Sequence, residues 1–119
     1  MNVLSWTDAD LHFEPDYNVL GKRLFPWPNV ESPSWGSAWV VLPPGQVSTP
    51  HAHSEDEIFF IVEGSGKIRV GAEARNIAFG DTIYIRNESE HELTNDGAGR
   101  LVYVSVWWLP SRTNDAVKV

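Results

Sequence analysis

The sequence predicts a single all-β domain. Short apolar runs rich in β-branched and aromatic residues follow one another from Trp35 to Trp108, giving seven or eight predicted strands. Turns containing glycine or proline separate these runs at intervals of about 8–12 residues, a spacing typical of β-sandwiches and barrels. No segment shows the apolar period of an amphipathic helix. The chain has 119 residues, of which 42% are hydrophobic, so it has the size of one domain with its own core.

The predicted strands have clear boundaries. The first is WGSAWVVL, which ends at the turn formed by Pro43, Pro44 and Gly45. Glycine-containing turns separate most of the later strands, and Pro110 ends the last one. The predicted strands are, in order, residues 35–42, 57–63, 67–70, 74–79, 81–87, 91–95 and 100–108.

The predicted barrel covers residues 35–110, and the segments on either side have a different character. Residues 1–34 contain four prolines, each of which removes a backbone donor and disfavours helix. The same segment carries several aromatic side chains, which a disordered linker would normally lack. We therefore expect an irregular, extended arm packed along the barrel. Residues 111–119 are predicted to form a C-terminal tail.

Composition argues against several classes of function. The formal net charge of -7 disfavours binding to the phosphate backbone of nucleic acids. The chain has no cysteine, which excludes disulfides, thiolate metal sites and a cysteine nucleophile. No apolar run approaches the ~20 residues of a membrane helix, and the N-terminus does not resemble a signal peptide. We expect a cytoplasmic protein that binds neither nucleic acid nor membrane.

A histidine pair followed by a glutamate is the strongest chemical signal. His51 and His53 are two residues apart, so on an extended segment their side chains point to one face. Glu57 shares that parity if the backbone stays regular between them. Two imidazoles and a carboxylate on one face form a candidate site for a divalent metal. His91, on a later strand, would add a fourth ligand if barrel closure makes the two strands neighbours. The alternative is that the histidine pair is merely polar surface.

The spacing around these residues resembles the first motif of the cupin family. That motif is a glycine, five residues, HxH, three or four residues, a glutamate, six residues and a glycine. Gly45, His51, His53, Glu57 and Gly64 fit it at every position.

A second stretch resembles the second cupin motif. Gly80, His91 and Asn95 fit it with the right spacing. Arg86 stands where the family usually has proline, and Glu88 where it usually has glycine. These two departures affect the turn before His91 and remove no ligand.

The resemblance covers residues 35–108 and implies a small single-domain cupin with a jelly-roll barrel. It implies one divalent transition metal per chain, with iron, manganese, zinc, nickel and copper all left open. The implied ligands are His51, His53, Glu57 and His91.

Several other side chains are candidates for the ligand pocket. Arg86 is a candidate anchor for a substrate carboxylate because it departs from the family pattern near His91, and Tyr84 is a candidate base. Asp56, next to Glu57 but of opposite parity, is expected to face water. The predicted pocket residues are Phe59, Ile61, Tyr84, Trp39 and Trp107.

The sequence leaves three functions open. The first is a metal-dependent enzyme acting on a small polar metabolite, by oxygenase, isomerase or lyase chemistry. The second is a metal or small-ligand binding or sensor module without turnover. A third possibility is a zinc-binding cupin that partners a methionyl-tRNA-synthetase-like enzyme in forming nitrogen–nitrogen bonds. The resemblance to small cupins also implies a homodimer. The candidate interface is the N-terminal arm together with the last strand.

Overall fold

A computed structural model describes residues 1–110, and within them the chain forms nine strands and one short 3-10 turn at Asp8–Asp10. The strands are β1 (His12–Glu14), β2 (Val19–Phe25), β3 (Trp35–Leu42), β4 (Asp56–Glu63), β5 (Ser65–Val70), β6 (Glu73–Ala78), β7 (Thr82–Ile85), β8 (His91–Thr94) and β9 (Leu101–Trp108).

The strands form two antiparallel sheets, which confirms the predicted all-β fold. The larger sheet has six strands in the order β1-β2-β3-β9-β4-β7, and the smaller has three in the order β6-β5-β8. β9 lies inside the larger sheet and pairs with β3 along its whole length and with β4 on its other side. β9 therefore has both of its backbone edges paired within the sheet.

The core lies between the two sheets. Leu42 and Leu101 are completely buried, and Ile85 and Leu93 are nearly so. On β9 the alternate residues Tyr103, Ser105 and Trp107 line a cavity in the interior. The six-stranded sheet therefore supplies both apolar core and cavity wall, as the period-2 geometry of strands requires.

The N-terminal arm is less irregular than the sequence suggested. Residues 12–14 and 19–25 form β1 and β2, and β2 pairs with β3 through five residue pairs. The prolines misled the prediction because they lie outside these two strands, at positions 15, 26, 28 and 33. These two strands extend the main sheet of the barrel. The predicted tail, residues 111–119, lies outside the described residues.

Two further findings bear on the expectations from sequence. No helix among residues 1–110 is long and apolar enough to span a membrane. The last strand was a candidate dimer interface, but β9 has both backbone edges paired within the sheet, so it cannot pair with a second chain.

Candidate metal centre and ligand cavity

A cavity of ≈ 250 Å³ opens from the barrel interior beside the histidine cluster. Its inner part is apolar and its mouth is charged. Its lining residues are Glu14, Tyr17, Val19, Gly21, Arg23, Ala38, Val40, Ser48, His51, His53, Glu55, Glu57, Phe59, Leu93, Tyr103, Ser105 and Trp107.

The structure brings the four predicted metal ligands together. One side-chain donor atom from each of these residues lies within 4.8 Å of the others. His51 and His91 form an isolated antiparallel bridge, with a backbone hydrogen bond in each direction at 3.2 and 3.0 Å. This bridge places the second motif directly beside the first, which the sequence could only propose. The four residues are His51, His53, Glu57 and His91.

Backbone carbonyls fix the tautomer of all three histidines. Nδ1 of His51 lies 2.9 Å from the carbonyl oxygen of Thr49, and Nδ1 of His53 lies 3.0 Å from that of Glu55. Nδ1 of His91 lies 2.9 Å from the carbonyl oxygen of Ser89. A carbonyl oxygen only accepts, so each Nδ1 carries the proton and donates it. Each Nε2 is then left with its lone pair, which is the form that binds a metal.

Glu57 is the buried carboxylate of the cluster. Its Oε1 lies 2.9 Å from Nε2 of His53 and 3.4 Å from Nε2 of His91. Its Oε2 accepts a hydrogen bond from the hydroxyl of Ser105 on β9. Burial raises the pKa of Glu57, but the interaction with His91 and the hydrogen bond from Ser105 outweigh burial and leave that pKa below its usual value. The carboxylate is therefore held in its charged form.

The donor set fits a divalent metal. Nε2 of His91 is completely buried and has no hydrogen-bond partner, which is costly unless something else occupies its lone pair. Burial lowers the pKa of His51, which favours its neutral form. Neutral imidazoles and a charged carboxylate are the protonation states that metal binding requires. The cluster could therefore hold a metal with His51, His53 and His91 as nitrogen ligands and Glu57 as the oxygen ligand.

The motif asparagine has a structural role. Asn95 is completely buried, and its side-chain amide donates to the carbonyl oxygens of Leu42 and Gly99, both at 2.8 Å. Its side-chain oxygen accepts from the backbone N–H of Gly97. All of its hydrogen-bonding capacity towards the protein is used in holding the loop between β8 and β9.

The turn before His91 forms despite its two departures from the family pattern. Glu88 has φ of 65°, a left-handed conformation that glycine adopts more readily. Its backbone N–H donates to the carbonyl oxygen of His53 at 2.7 Å, which ties the two motifs together. Arg86 is exposed and contributes only its backbone carbonyl to this turn. Arg86 does not line the cavity, so the structure gives no support to it as a carboxylate anchor.

Two of the five predicted pocket residues, Phe59 and Trp107, line the cavity. Ile61 is buried in the core on the same face but does not line the cavity. Tyr84 is 56% exposed and lies outside, because it pairs with Ile58, whose side chain points away from the barrel interior. The prediction of Tyr84 as pocket residue and base is therefore wrong by one residue of register.

Trp39 also lies outside the cavity. Its neighbours Ala38 and Val40 line the cavity, so strand alternation directs Trp39 to the opposite face of the sheet. There its ring contacts Trp6 edge to face, at 5.2 Å between centroids. The contact between Trp39 and Trp6 therefore packs the N-terminal arm against the outer face of the sheet.

The sequence predicts that Asp56 faces water, but the structure contradicts this prediction. Asp56 is buried, and its Oδ1 accepts a hydrogen bond from the backbone N–H of Asn87 at 2.8 Å. This contact covers the carboxylate because β4 runs beside the loop that leads to β8.

Sequence reasoning missed the charged residues at the cavity mouth. Arg23 lies over the ring of Trp107, at 5.3 Å from its centroid, and pairs with Glu14 at 2.9 Å. Tyr17 contacts the ring of His51 edge to face, at 4.8 Å. The alternation in VLGKRLF, which puts Val19, Gly21 and Arg23 on one face, was the available signal.

Comparisons with known proteins agree with this fold. The cupin domain model of the Cupin_2 family matches residues 38–107. A Cupin 2 conserved barrel domain protein from Salinispora arenicola is 28% identical, with a TM-score of 0.82 over 98% of this chain and 94% of that one. A protein from Photorhabdus luminescens is 31% identical, with a TM-score of 0.81 over 91% of this chain and 88% of that one.

Two other similarities are more limited. A predicted oxalate decarboxylase from Thermotoga maritima is 26% identical, with a TM-score of 0.69 over 77% of this chain and 81% of that one. An uncharacterised protein of Methanocaldococcus jannaschii is 34% identical over 61 residues. That match covers 50% of this chain and 49% of the relative, so this chain spans about half the length of the curated protein it matches.

Proposed function

The chain belongs to the cupin family, and we propose that it is a metal-dependent enzyme acting on a small polar metabolite. One observation carries this proposal. Three imidazole Nε2 atoms and one carboxylate converge at the wall of a small cavity, with every Nδ1 held by a backbone carbonyl. That arrangement is preorganised for a metal and opens onto space for a ligand.

The ligand set favours a divalent transition metal. Imidazole nitrogen suits zinc, copper, iron and nickel, while a carboxylate also suits manganese. Three neutral histidines and one carboxylate leave a divalent ion with a net charge of about +1, which favours an anionic ligand. When bound, such a metal supplies Lewis acidity to oxygen atoms of the ligand.

The surrounding residues have distinct tasks in this proposal. Phe59, Val40 and Leu93 make the inner wall apolar and exclude water from the ligand. Ser105 holds Glu57 in place through its hydroxyl. Arg23 at the mouth offers a positive charge to an entering anion, partly balanced by Glu14. The Thermotoga maritima similarity is consistent with a small carboxylate as ligand.

Elemental analysis of untagged protein purified without chelator tests the proposal. We expect about one metal per chain, because preorganised ligand sets of this kind bind tightly. His53→Ala should lose the metal. His12→Ala is the matched control, because His12 is exposed on β1 and lies outside the cluster, and it should keep the metal. A wild-type chain without metal, even after reconstitution, would overturn the proposal.

The identity of the metal then directs the search for activity. Iron together with oxygen uptake favours oxygenase chemistry, whereas tightly held zinc favours lyase or hydrolytic chemistry. A metal-loaded protein that binds small carboxylates but turns none of them over would favour a binding module instead.

The homodimer stays a prediction. β1 and β7 are the edges of the six-stranded sheet, and unpaired edges invite pairing with another chain. Gel filtration at twice the monomer mass would support it, and a clean monomer would contradict it.

A further inference from the structure

Tyr103 is a polar side chain of the cavity wall that the metal ligands do not use. Tyr103 lies on β9, is 5% exposed and lines the cavity. The side-chain hydrogen bonds formed within residues 1–110 include none to this hydroxyl, whereas the neighbouring inward hydroxyl, that of Ser105, bonds to Glu57. A buried tyrosine hydroxyl normally has a hydrogen-bond partner. Its open position on the cavity wall makes it available to a ligand.

The protonation state of Tyr103 makes it a donor. Burial raises its pKa, and the negative charge of Glu57 raises it further. The hydroxyl therefore keeps its proton at neutral pH. It can donate a hydrogen bond to a ligand, but it is not a base.

The backbone of Tyr103 lies farther along β9 from the metal ligands than that of Ser105, because Tyr103 pairs with Ile61, four residues beyond Glu57 on β4. Ser105 contacts Glu57, and Tyr103 is two residues away on the same strand, which is roughly 7 Å along the sheet. The ring of Phe59 lies between the two regions, with its centroid 5.9 Å from that of His91 and 4.6 Å from that of Tyr103. A ligand that reaches from the metal to Tyr103 must therefore pass an apolar surface.

The wall around Tyr103 is mostly apolar. Val19, Val40 and Leu93 are buried there and carry no side-chain hydrogen-bonding group. Ser48 also lines the cavity, but its hydroxyl already accepts a hydrogen bond from the backbone N–H of Leu93, whereas the Tyr103 hydroxyl has no such bond within residues 1–110. One donor in an apolar wall discriminates strongly between ligands, because a ligand without an acceptor leaves the donor unpaired.

We propose that Tyr103 selects the ligand by donating a hydrogen bond to an oxygen acceptor at the end remote from the metal. The ligand class is a small carboxylate with a short apolar body and a distal carbonyl or carboxylate oxygen. This inference rests on the proposed function, since the metal holds the near carboxylate.

Matched ligands on cobalt(II)-loaded protein test this inference. Levulinate and pentanoate have the same length and differ in one ketone. The pair 5-oxohexanoate and hexanoate, one carbon longer, differs in the same way. Dissociation constants come from titrations that follow the visible absorption of cobalt(II). In at least one of the two pairs, we expect the wild type to bind the oxo acid about 3- to 10-fold more tightly than the fatty acid of the same length.

Tyr103→Phe should abolish that preference. The variant keeps the ring that packs on Phe59, so cobalt content should stay at the wild-type value, and pentanoate should bind at least as tightly as it does to the wild type because no donor is left unpaired. Tyr84→Phe is the matched control, since Tyr84 is exposed outside the cavity, and it should retain the preference.

The outcomes separate the two proposals. A wild type that takes up no cobalt overturns the proposed function and this inference with it. Cobalt uptake without preference for either oxo acid overturns the role of Tyr103 alone, as does a preference that Tyr103→Phe retains. If no acid of the set perturbs the cobalt spectrum, the proposed ligand class is wrong while the metal site stands.

Discussion

Two walls of the same cavity are built in different ways. The metal wall consists of His51, His53, Glu57 and His91, and each of these side chains is held by a hydrogen bond to a backbone carbonyl or to Ser105. The mouth wall consists of Glu14, Arg23 and Trp107. The charged groups of Glu14 and Arg23 are partly exposed to water and pair with each other, and Arg23 also lies over the ring of Trp107.

The difference indicates a division of tasks. A metal needs ligands fixed to within a fraction of an ångström, which backbone hydrogen bonds provide. Ligand entry needs side chains that can rearrange, and solvent-exposed ion pairs cost little to open. The following changes disturb one wall at a time.

The largest expected effect is on the metal wall. Glu57→Gln keeps the shape of the side chain but removes the charge, so we expect metal affinity to fall by more than about 100-fold, because even the loss of outer-shell partners costs 10- to 100-fold. Competition with a chromogenic chelator measures it. Glu63→Gln, on the same strand but exposed and paired with Arg100, should leave affinity unchanged. Equal affinity in Glu57→Gln would remove Glu57 from the ligand set.

Gly36 supports the mouth wall, and filling its space should be costly. A Cβ atom there would lie 2.5 Å from Cε2 of Trp107, so Gly36→Ala must displace the indole or the strand. We expect the free energy of unfolding to fall by about 1–3 kcal/mol, as in other overpacked sites, with metal content unchanged. Chemical denaturation measures it.

Gly21→Ala is the control for that experiment. Gly21 also lines the cavity, but its added Cβ would meet Glu14 at an ordinary 3.6 Å. Its stability should change by less than about 0.5 kcal/mol. Equal destabilisation by the two alanines would show that Trp107 is not held in place by Gly36.

The hydroxyl of Ser105 should matter both to the metal and to the fold, whereas that of Ser48 should matter to the fold alone. Ser105→Ala removes the hydrogen bond to Oε2 of Glu57, and we expect metal affinity to fall by about 10-fold. Ser48→Ala is the matched control, since its equally buried hydroxyl accepts from the backbone N–H of Leu93. Both variants should lose about 1–3 kcal/mol of stability, because each leaves a buried polar group unpaired. An unchanged affinity in Ser105→Ala would mean that Glu57 is oriented by the histidines alone.

The two walls also differ in how well the sequence predicts them. His51, His53 and Glu57 are candidate ligands by their close spacing in sequence, and the resemblance to two cupin motifs adds His91. The seven strands from Trp35 to Trp108 were predicted to within a few residues, since turn residues mark their ends. Local signals therefore sufficed for the barrel and the metal wall.

The mouth wall depends on pairings between distant segments. Arg23 approaches Trp107 only because β2 pairs with β3 and β3 pairs with β9. Tyr84 and Trp39 were misplaced because period 2 gives two faces and does not say which faces inward. No feature of VLGKRLF alone says which strand it joins.

The smallest expected effect is at the mouth itself. Arg23→Gln removes the ion pair with Glu14 and the contact with the ring of Trp107. The Arg23 side chain is 52% exposed, so solvent already screens its charge, and we expect a stability change below about 1 kcal/mol. Thermal unfolding at low and high salt measures it, and the difference from wild type should shrink as salt rises. A loss above about 2 kcal/mol would mean that this pair anchors the N-terminal strands, and the division between a rigid and a movable wall would fail.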